Sequence, residues 1–365
     1  MLVSQGHVLA QVCGRIGLMT LNRPAALNAL SLEMIRDLTA MLLAWADDAQ
    51  VVAVVVRGAG RPGKPPAFCA GGDIRFFHQA ALSGDPRLED FFTEEYALNH
   101  LIHHYPKPYI ALMDGIVMGG GMGISQGAAL RVVTEHSRLA MPETNIGLFP
   151  DVGGGWFLSR CPGHVGEYLA LTGHVLRASD AIAFGLADEY VPADQIPALV
   201  EALTDQPVEL GEQALACVRS RAVEVPPALV ALQQQVIDRH FGASTLQAIV
   251  RSLQTDPGTF AEQTLEVLAK RSPLMMAVTL EQVRRARRMT LADDLRMERD
   301  LVRHSFHLRP GAQSDAVEGI RALAIDKDHA PRWRPGRIEE VAQEDVELFF
   351  NSPWPAHAHP LRGLA

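Results

Sequence analysis

Cysteine is scarce in this 365-residue chain, and the four present (Cys13, Cys69, Cys161 and Cys217) lie far apart. None stands at the spacing of a zinc finger or a redox pair, so neither a metal site nor a disulfide framework is expected. No apolar run is long enough to span a bilayer. The opening MLVSQGHVLA has no basic segment ahead of an apolar core and is not arginine-rich. That argues against a secretory or transit peptide and for a cytoplasmic protein. Positive charge is also short, with 33 Lys and Arg against 42 Asp and Glu, a net charge of −9. The one dense basic cluster, Arg284 to Arg288, falls in a helical pattern and reads as a solvated face, so neither nucleic acid nor a membrane is an expected partner. With 48% hydrophobic and 21% charged residues, the composition is that of an ordinary globular protein.

What the chain does have is glycine in revealing places. The segment Gly115 to Ser125, GIVMGGGMGIS, follows an apolar strand-like run, Tyr109 to Met113, and precedes small and apolar residues that suit a tightly packed helix, Met122 to Leu130. Glycines between a strand and a helix expose backbone N–H groups where the helix dipole favours a negative oxygen. A second such turn, Ala70 to Asp73, follows Ala67-Phe68-Cys69. Two N–H groups converging on one carbonyl oxygen would form an oxyanion hole, each donor worth about 3 kcal/mol of barrier.

Around these turns the pattern alternates. Strands are expected at His7 to Cys13, Ile16 to Leu21 and Val51 to Val56, the last after a helix over Leu32 to Trp45 capped by Ser31. A Gly/Pro-rich loop covers Gly58 to Pro66, and another helix runs roughly from Phe91 to His104. Two short strands follow within Arg131 to Ala140, then an irregular loop from Met141 to Gly155 and short helices through Phe184. This describes an α/β unit over residues 1–204. Beyond a short linker near Leu203 to Gly211 the pattern turns helical, with amphipathic stretches at Pro227 to His240, Leu246 to Leu253, Thr259 to Ala269 and Pro273 to Arg287. Residues 205–365 are therefore expected as a helical extension packed on the core.

Four stretches in the same order carry a resemblance: Asn22-Arg23-Pro24 with Asn28-Ala29-Leu30, AFCAGGDI (67–74), GIVMGGGMGIS (115–125) and AMPETNIGLFPDVGGGWFLSR (140–160). The chain resembles the crotonase, or enoyl-CoA hydratase/isomerase, superfamily. The resemblance implies a crotonase-like spiral of ββα repeats followed by a helical C-terminal region. It also implies an oxyanion hole from the N–H groups of Gly72 and Gly120. Ala70, Gly72, Asp73, Ile74 and Arg75 are implied to border the coenzyme A. Hydratases of this family are similar in using two glutamates as acid and base. The first of those positions is Gly123 here, which has no acid–base chemistry, and the second is Glu143. A further acid, Asp151, stands where typical hydratases have a small residue.

Gly123, Glu143 and Asp151 together resemble the 3-hydroxyisobutyryl-CoA hydrolase branch, and residues 318–333 look like its extended C-terminal region. That branch implies hydrolysis of a short branched 3-hydroxyacyl thioester in valine breakdown. Glu143 is then nucleophile or general base, Asp151 its partner acid, and Glu95 lies over the acyl group. No metal or other cofactor is implied, since coenzyme A belongs to the substrate. A homo-oligomer is compatible with the resemblance. The alternatives are an enoyl-CoA hydratase or isomerase and a non-catalytic acyl-CoA-binding scaffold.

Overall fold

The computed structural model describes residues 3–61, 63–64, 66–205 and 208–365. Pro62 and Pro65 of the expected Gly58 to Pro66 loop, and Gln206-Pro207 of the expected linker, lie outside the described residues. The chain forms two compact units, each built from separated segments. One comprises Met1–Gly72, Ala97–Ala140 and Val175–Ala231; the other comprises Asp73–Tyr96, Met141–His174 and Leu232–Ala365. The helix Arg87–His103 divides between them after Tyr96. Among the described residues no helix is long and apolar enough to cross a membrane.

The strands of the described residues all lie in the first unit: β1 (Val8–Cys13), β2 (Ile16–Leu21), β3 (Ala53–Gly58), β4 (Ala67–Cys69), β5 (Tyr109–Met113), β6 (Ile116–Met118), β7 (Leu130–Val133), β8 (Arg138–Ala140) and β9 (Glu189–Tyr190). Six form a sheet in the order β1-β2-β3-β5-β7-β9, and three form a smaller one, β4-β6-β8. Among these strands of the described residues only β1 and β2 pair antiparallel; the other strand pairs are parallel. Successive strands thus alternate between the sheets, with β3, β5 and β7 in the large one and β4, β6 and β8 in the small one. This is the ββα repeat of the crotonase fold. β5 is buried along its whole length, as parallel strands covered on both faces are. One face of the large sheet (Ile16, Leu18, Val55, Ile110, Leu112, Leu130, Val132) packs on the helices Ile196–Asp205 and Gly211–Arg219 through Leu199, Leu203, Leu215 and Val218.

The second unit is helical. Its elements include Ile74–Ser83, Gly154–Leu158, Val165–Thr172, Pro273–Ala286 and Leu291–His307. The helix expected at Met122 to Leu130 spans Gly120–Gln126 instead, because Leu130 already pairs with Ile110 at the start of β7. The helix expected to begin at Pro227 starts only at Gln234, after a short 3-10 turn at Ala231–Gln233. The Met141 to Gly155 loop holds a 3-10 turn, Glu143–Ile146, and its last two residues open the helix Gly154–Leu158.

Candidate active site

In the first unit, β4 and β6 run parallel with Cys69 opposite Val117, so the chain leaves both strands at neighbouring points. Beyond β4 come Ala70-Gly71-Gly72; beyond β6 come Gly119-Gly120. A Cβ on Gly71 would lie 3.7 Å from the Gly120 nitrogen, which places the two turns against each other. Gly119 has φ 49° and ψ −121°, a conformation that side chains resist, and it aims Gly120 into the first position of the helix Gly120–Gln126. The helix can pack there because Gly121 lacks a Cβ, which would stand 2.2 Å from the Cys69 carbonyl oxygen. Among the described residues neither the Gly72 N–H nor the Gly120 N–H donates to an acceptor of the protein. Ala70, Gly72 and Gly120 are therefore brought together, with two donors left open.

The Gly72 turn is fixed by a segment that the resemblance marked without giving it a task. The buried Asn28 adopts a left-handed backbone with φ 57°. Its amide donates to the carbonyls of Ala59 at 3.1 Å and Ala67 at 2.8 Å, and its oxygen accepts from the Arg23 N–H at 2.9 Å. The Leu30 N–H donates to the Gly71 carbonyl at 2.8 Å and the Ala70 N–H to the Leu27 carbonyl at 3.0 Å. Residues 27–30 thus hold the turn from one side.

The second unit gathers the acids. Glu143 opens the 3-10 turn and is 7% exposed, with its Oε2 lacking any hydrogen-bond partner among the described residues. Glu95, on the helix Arg87–His103, is buried, and its Oε1 has no such partner either. Neither carboxylate caps a helix or lies on a solvated face. Asp151 accepts a hydrogen bond on Oδ2 from the hydroxyl of Tyr96 at 2.9 Å, and its side chain does not cap the helix that follows.

Burial and mutual repulsion govern these groups. Burial, then the charge of Asp151, holds the Glu143 carboxyl well above the ordinary glutamate range. Burial, then Asp151 and Glu143, does the same for Glu95. Asp151 is pushed up only to about 6, because the Tyr96 hydroxyl partly offsets its burial. An ionised Asp151 therefore disfavours ionisation of both glutamates.

The turn that carries Asp151 is clamped by residues the sequence did not single out. Glu298, on the helix Leu291–His307, accepts from the N–H groups of Gly153 at 2.7 Å and Gly155 at 2.9 Å. Gln282 donates to the Pro150 carbonyl at 2.6 Å and to Glu298 at 3.0 Å. Asp294 accepts from the Trp156 N–H at 2.9 Å. The N-terminus of Gly154–Leu158 is thus capped by carboxylates from another helix, in keeping with the helix dipole. Clamping carboxyls are buried too, which raises both, Asp294 to about 7. More than 130 residues separate these partners from the turn (Glu298 from Gly153 by 145), beyond any periodic signal.

The remaining predicted residues lie at the start of the helix Ile74–Ser83. Asp73 caps it, accepting from the Phe76 N–H at 3.3 Å, Ile74 is its first residue, and Arg75 is exposed. Gly123 is buried inside Gly120–Gln126 and presents no side chain.

The alternating parallel strands and paired glycine turns of the first unit define a protein of the crotonase fold. The chain matches the family model described as enoyl-CoA hydratase/isomerase over residues 16–350, and it belongs to that family. Among similar proteins, a 3-hydroxyisobutyryl-CoA hydrolase, mitochondrial, of Xenopus tropicalis is 41% identical over 357 residues, 96% of this chain and 90% of that protein. Two solved structures are also similar. One is described as a carnitinyl-CoA dehydratase from Mycobacterium thermoresistibile, with TM-score 0.87 and 40% identity over 95% of this chain and 97% of that one. The other is described as an enoyl-CoA hydratase from Rhodobacter sphaeroides 2.4.1, with TM-score 0.86 and 38% identity over the same shares.

Proposed function

We propose that the protein hydrolyses a short branched 3-hydroxyacyl-CoA thioester, 3-hydroxyisobutyryl-CoA by preference, to the free hydroxy acid and CoA. The observation that carries this reading is the group of buried carboxyls Glu95, Glu143 and Asp151 in a chain whose position 123 is glycine. Hydration across a double bond by the two-glutamate route requires a carboxyl at 123; thioester cleavage does not. The hydrolase relative supports the same choice.

In this proposal the thioester oxygen accepts from the N–H groups of Gly72 and Gly120, which stabilise the negative charge that develops there. Joint action of these donors and the acids on one thioester is part of the proposal. Glu143 begins protonated and Asp151 ionised. Transfer of that proton to Asp151 leaves a Glu143 carboxylate that attacks the carbonyl or activates a water to do so. Asp151, now a carboxylic acid, protonates the departing thiolate. Glu95 meets the 3-hydroxyl, and Ala70, Asp73, Ile74 and Arg75 border the CoA. The route uses no cofactor.

In the Glu143→Gln variant, thiol release should fall at least a hundredfold with little change in KM, because the acid–base group is lost and the donors remain. An unchanged kcat removes Glu143 from the mechanism. A second reading, hydration of an enoyl-CoA, rests on the descriptions of the two similar structures. As to compartment, the cytoplasm is our proposal and the mitochondrion the alternative. The Xenopus relative is named mitochondrial, and fractionation with immunodetection decides between the two.

A further inference from the structure

The second unit holds a cavity of about 590 Å³ that the proposed chemistry does not use. Its wall begins at Asn145, in the same 3-10 turn as Glu143, and continues through Lys270, Leu323 and the segment from His329 to Gly336. Its size lies within the range of small-ligand pockets. Among the described residues no Asp or Glu lines it.

The charge balance around the cavity is one-sided. The nearby acids Glu318, Asp326 and Asp328 are all bound by one guanidinium, that of Arg321, at 2.9, 2.7 and 2.7 Å. Arg332 shares the field of Glu318 and Asp328 without bonding either through its side chain. Among the described residues the side chains of Lys270, His329 and Arg332 have no hydrogen-bond or ion-pair partner. Arg271, by contrast, is fully engaged with Asn145 at 2.6 Å and the Thr172 carbonyl at 2.7 Å, and is not available to a ligand. Three unpaired nitrogen-bearing side chains therefore face one concavity.

The wall that presents them is held in place. The His329 N–H donates to the Ala322 carbonyl at 3.1 Å and the Arg332 N–H to Glu318 at 2.9 Å. The Trp333 indole N–H donates to the Lys270 carbonyl at 3.2 Å, which leaves the ring face as part of the lining. A flat aromatic surface beside a guanidinium and an ammonium suits a ligand with a planar ring and phosphate groups. The guanidinium grips phosphate by two parallel bonds, and the indole stacks on the ring.

We propose that this cavity binds a phosphorylated adenine nucleotide through Lys270, Arg332 and Trp333. The nucleotide belongs either to the CoA of the substrate, in which case the inference rests on the function proposed above, or to a separate ligand. Because Asn145 and Glu143 share one turn, occupancy is placed to act on the catalytic turn.

The test is binding of adenosine 3′,5′-bisphosphate, read by calorimetry and by quenching of tryptophan fluorescence, with adenosine as the uncharged control. Wild-type protein should bind the bisphosphate at least tenfold more tightly than adenosine. Lys270→Ala/Arg332→Ala should weaken it at least tenfold, and Trp333→Phe should remove most of the quenching. Photolabelling of the wild type with an azido derivative, mapped to the peptide carrying Trp333, gives the same answer without any variant. Unchanged affinity in the double variant, or labelling only elsewhere, overturns the proposal. Competition by CoA identifies the site with the nucleotide end of the substrate. Binding undiminished by saturating CoA identifies a separate ligand. Because these readouts need no turnover, failure of the hydrolase reading and failure of the pocket are distinguishable.

Discussion

Replacing Tyr96 by phenylalanine removes one hydroxyl and little else, which makes it a sharp probe of the acid cluster. Tyr96 is fully buried, and its hydroxyl donates to Asp151 Oδ2 at 2.9 Å. That bond favours the ionised carboxylate and so lowers the Asp151 pKa against the effect of burial. A hydrogen bond to a charged group is worth about 1.5–3 kcal/mol, and each pH unit corresponds to about 1.4 kcal/mol. Its loss should move the Asp151 ionisation from about 6 upward by roughly one to two units. The assay is the pH profile of kcat/KM for thiol release. Its acid limb should shift upward, with activity at pH 6 down roughly tenfold or more and largely recovered near pH 9. An acid limb at the wild-type position refutes the argument. So does a loss that is uniform at every pH, which would mark a purely structural effect.

Further outcomes follow from the same network. Glu298→Ala leaves the buried N–H groups of Gly153 and Gly155 without their acceptor; unfolding should become easier by about 3–5 kcal/mol and kcat should fall more than KM changes. Denaturant titration and kinetics check both. Asp294 is raised to about 7 from an unfolded value of 3.8, so the folded state holds its proton longer, and the stability it contributes is lost between about pH 4 and 7. Asp294→Asn should therefore gain melting temperature relative to wild type at pH 8.5 and not at pH 4. Glu89 is held well below its ordinary value by His307, Arg299 and Arg303, and Arg299 is itself buried. Glu89→Gln should cost about 3–5 kcal/mol by leaving that guanidinium uncompensated. This stability is present above about pH 4.5 and is lost as pH falls.

The long, strongly patterned elements were legible in the sequence. β5 occupies Tyr109–Met113 as its apolar run implies, and Ser31 caps the helix Leu32–Ala46, accepting from the Met34 N–H. The glycine motifs announced both turns. β6, Ile116–Met118, was hidden inside the glycine stretch because three residues are too few for a period, and β4 is equally short. The helix Ile74–Ser83 was obscured by the Gly-Gly-Asp before it, although Asp73 is its cap. In the site, Glu143, Asp151 and Glu95 were found through a family resemblance. Tyr96, Gln282, Asp294 and Glu298 were not, because their partners lie 55 to 145 residues away and are brought near by packing alone. Glu298 and Asp294 stand in a run of charges, LADDLRMERD, whose composition does not signal that both acids are buried.

The central claim is that the thioester bond, and not a carbon–carbon double bond, is the one broken. Wild-type protein incubated separately with 3-hydroxyisobutyryl-CoA and with crotonyl-CoA, with free thiol and enoyl absorbance followed in parallel, tests it directly. The account predicts rapid thiol release from the hydroxyacyl thioester and no faster loss of enoyl absorbance than in the enzyme-free control. Loss of enoyl absorbance without thiol release would contradict it.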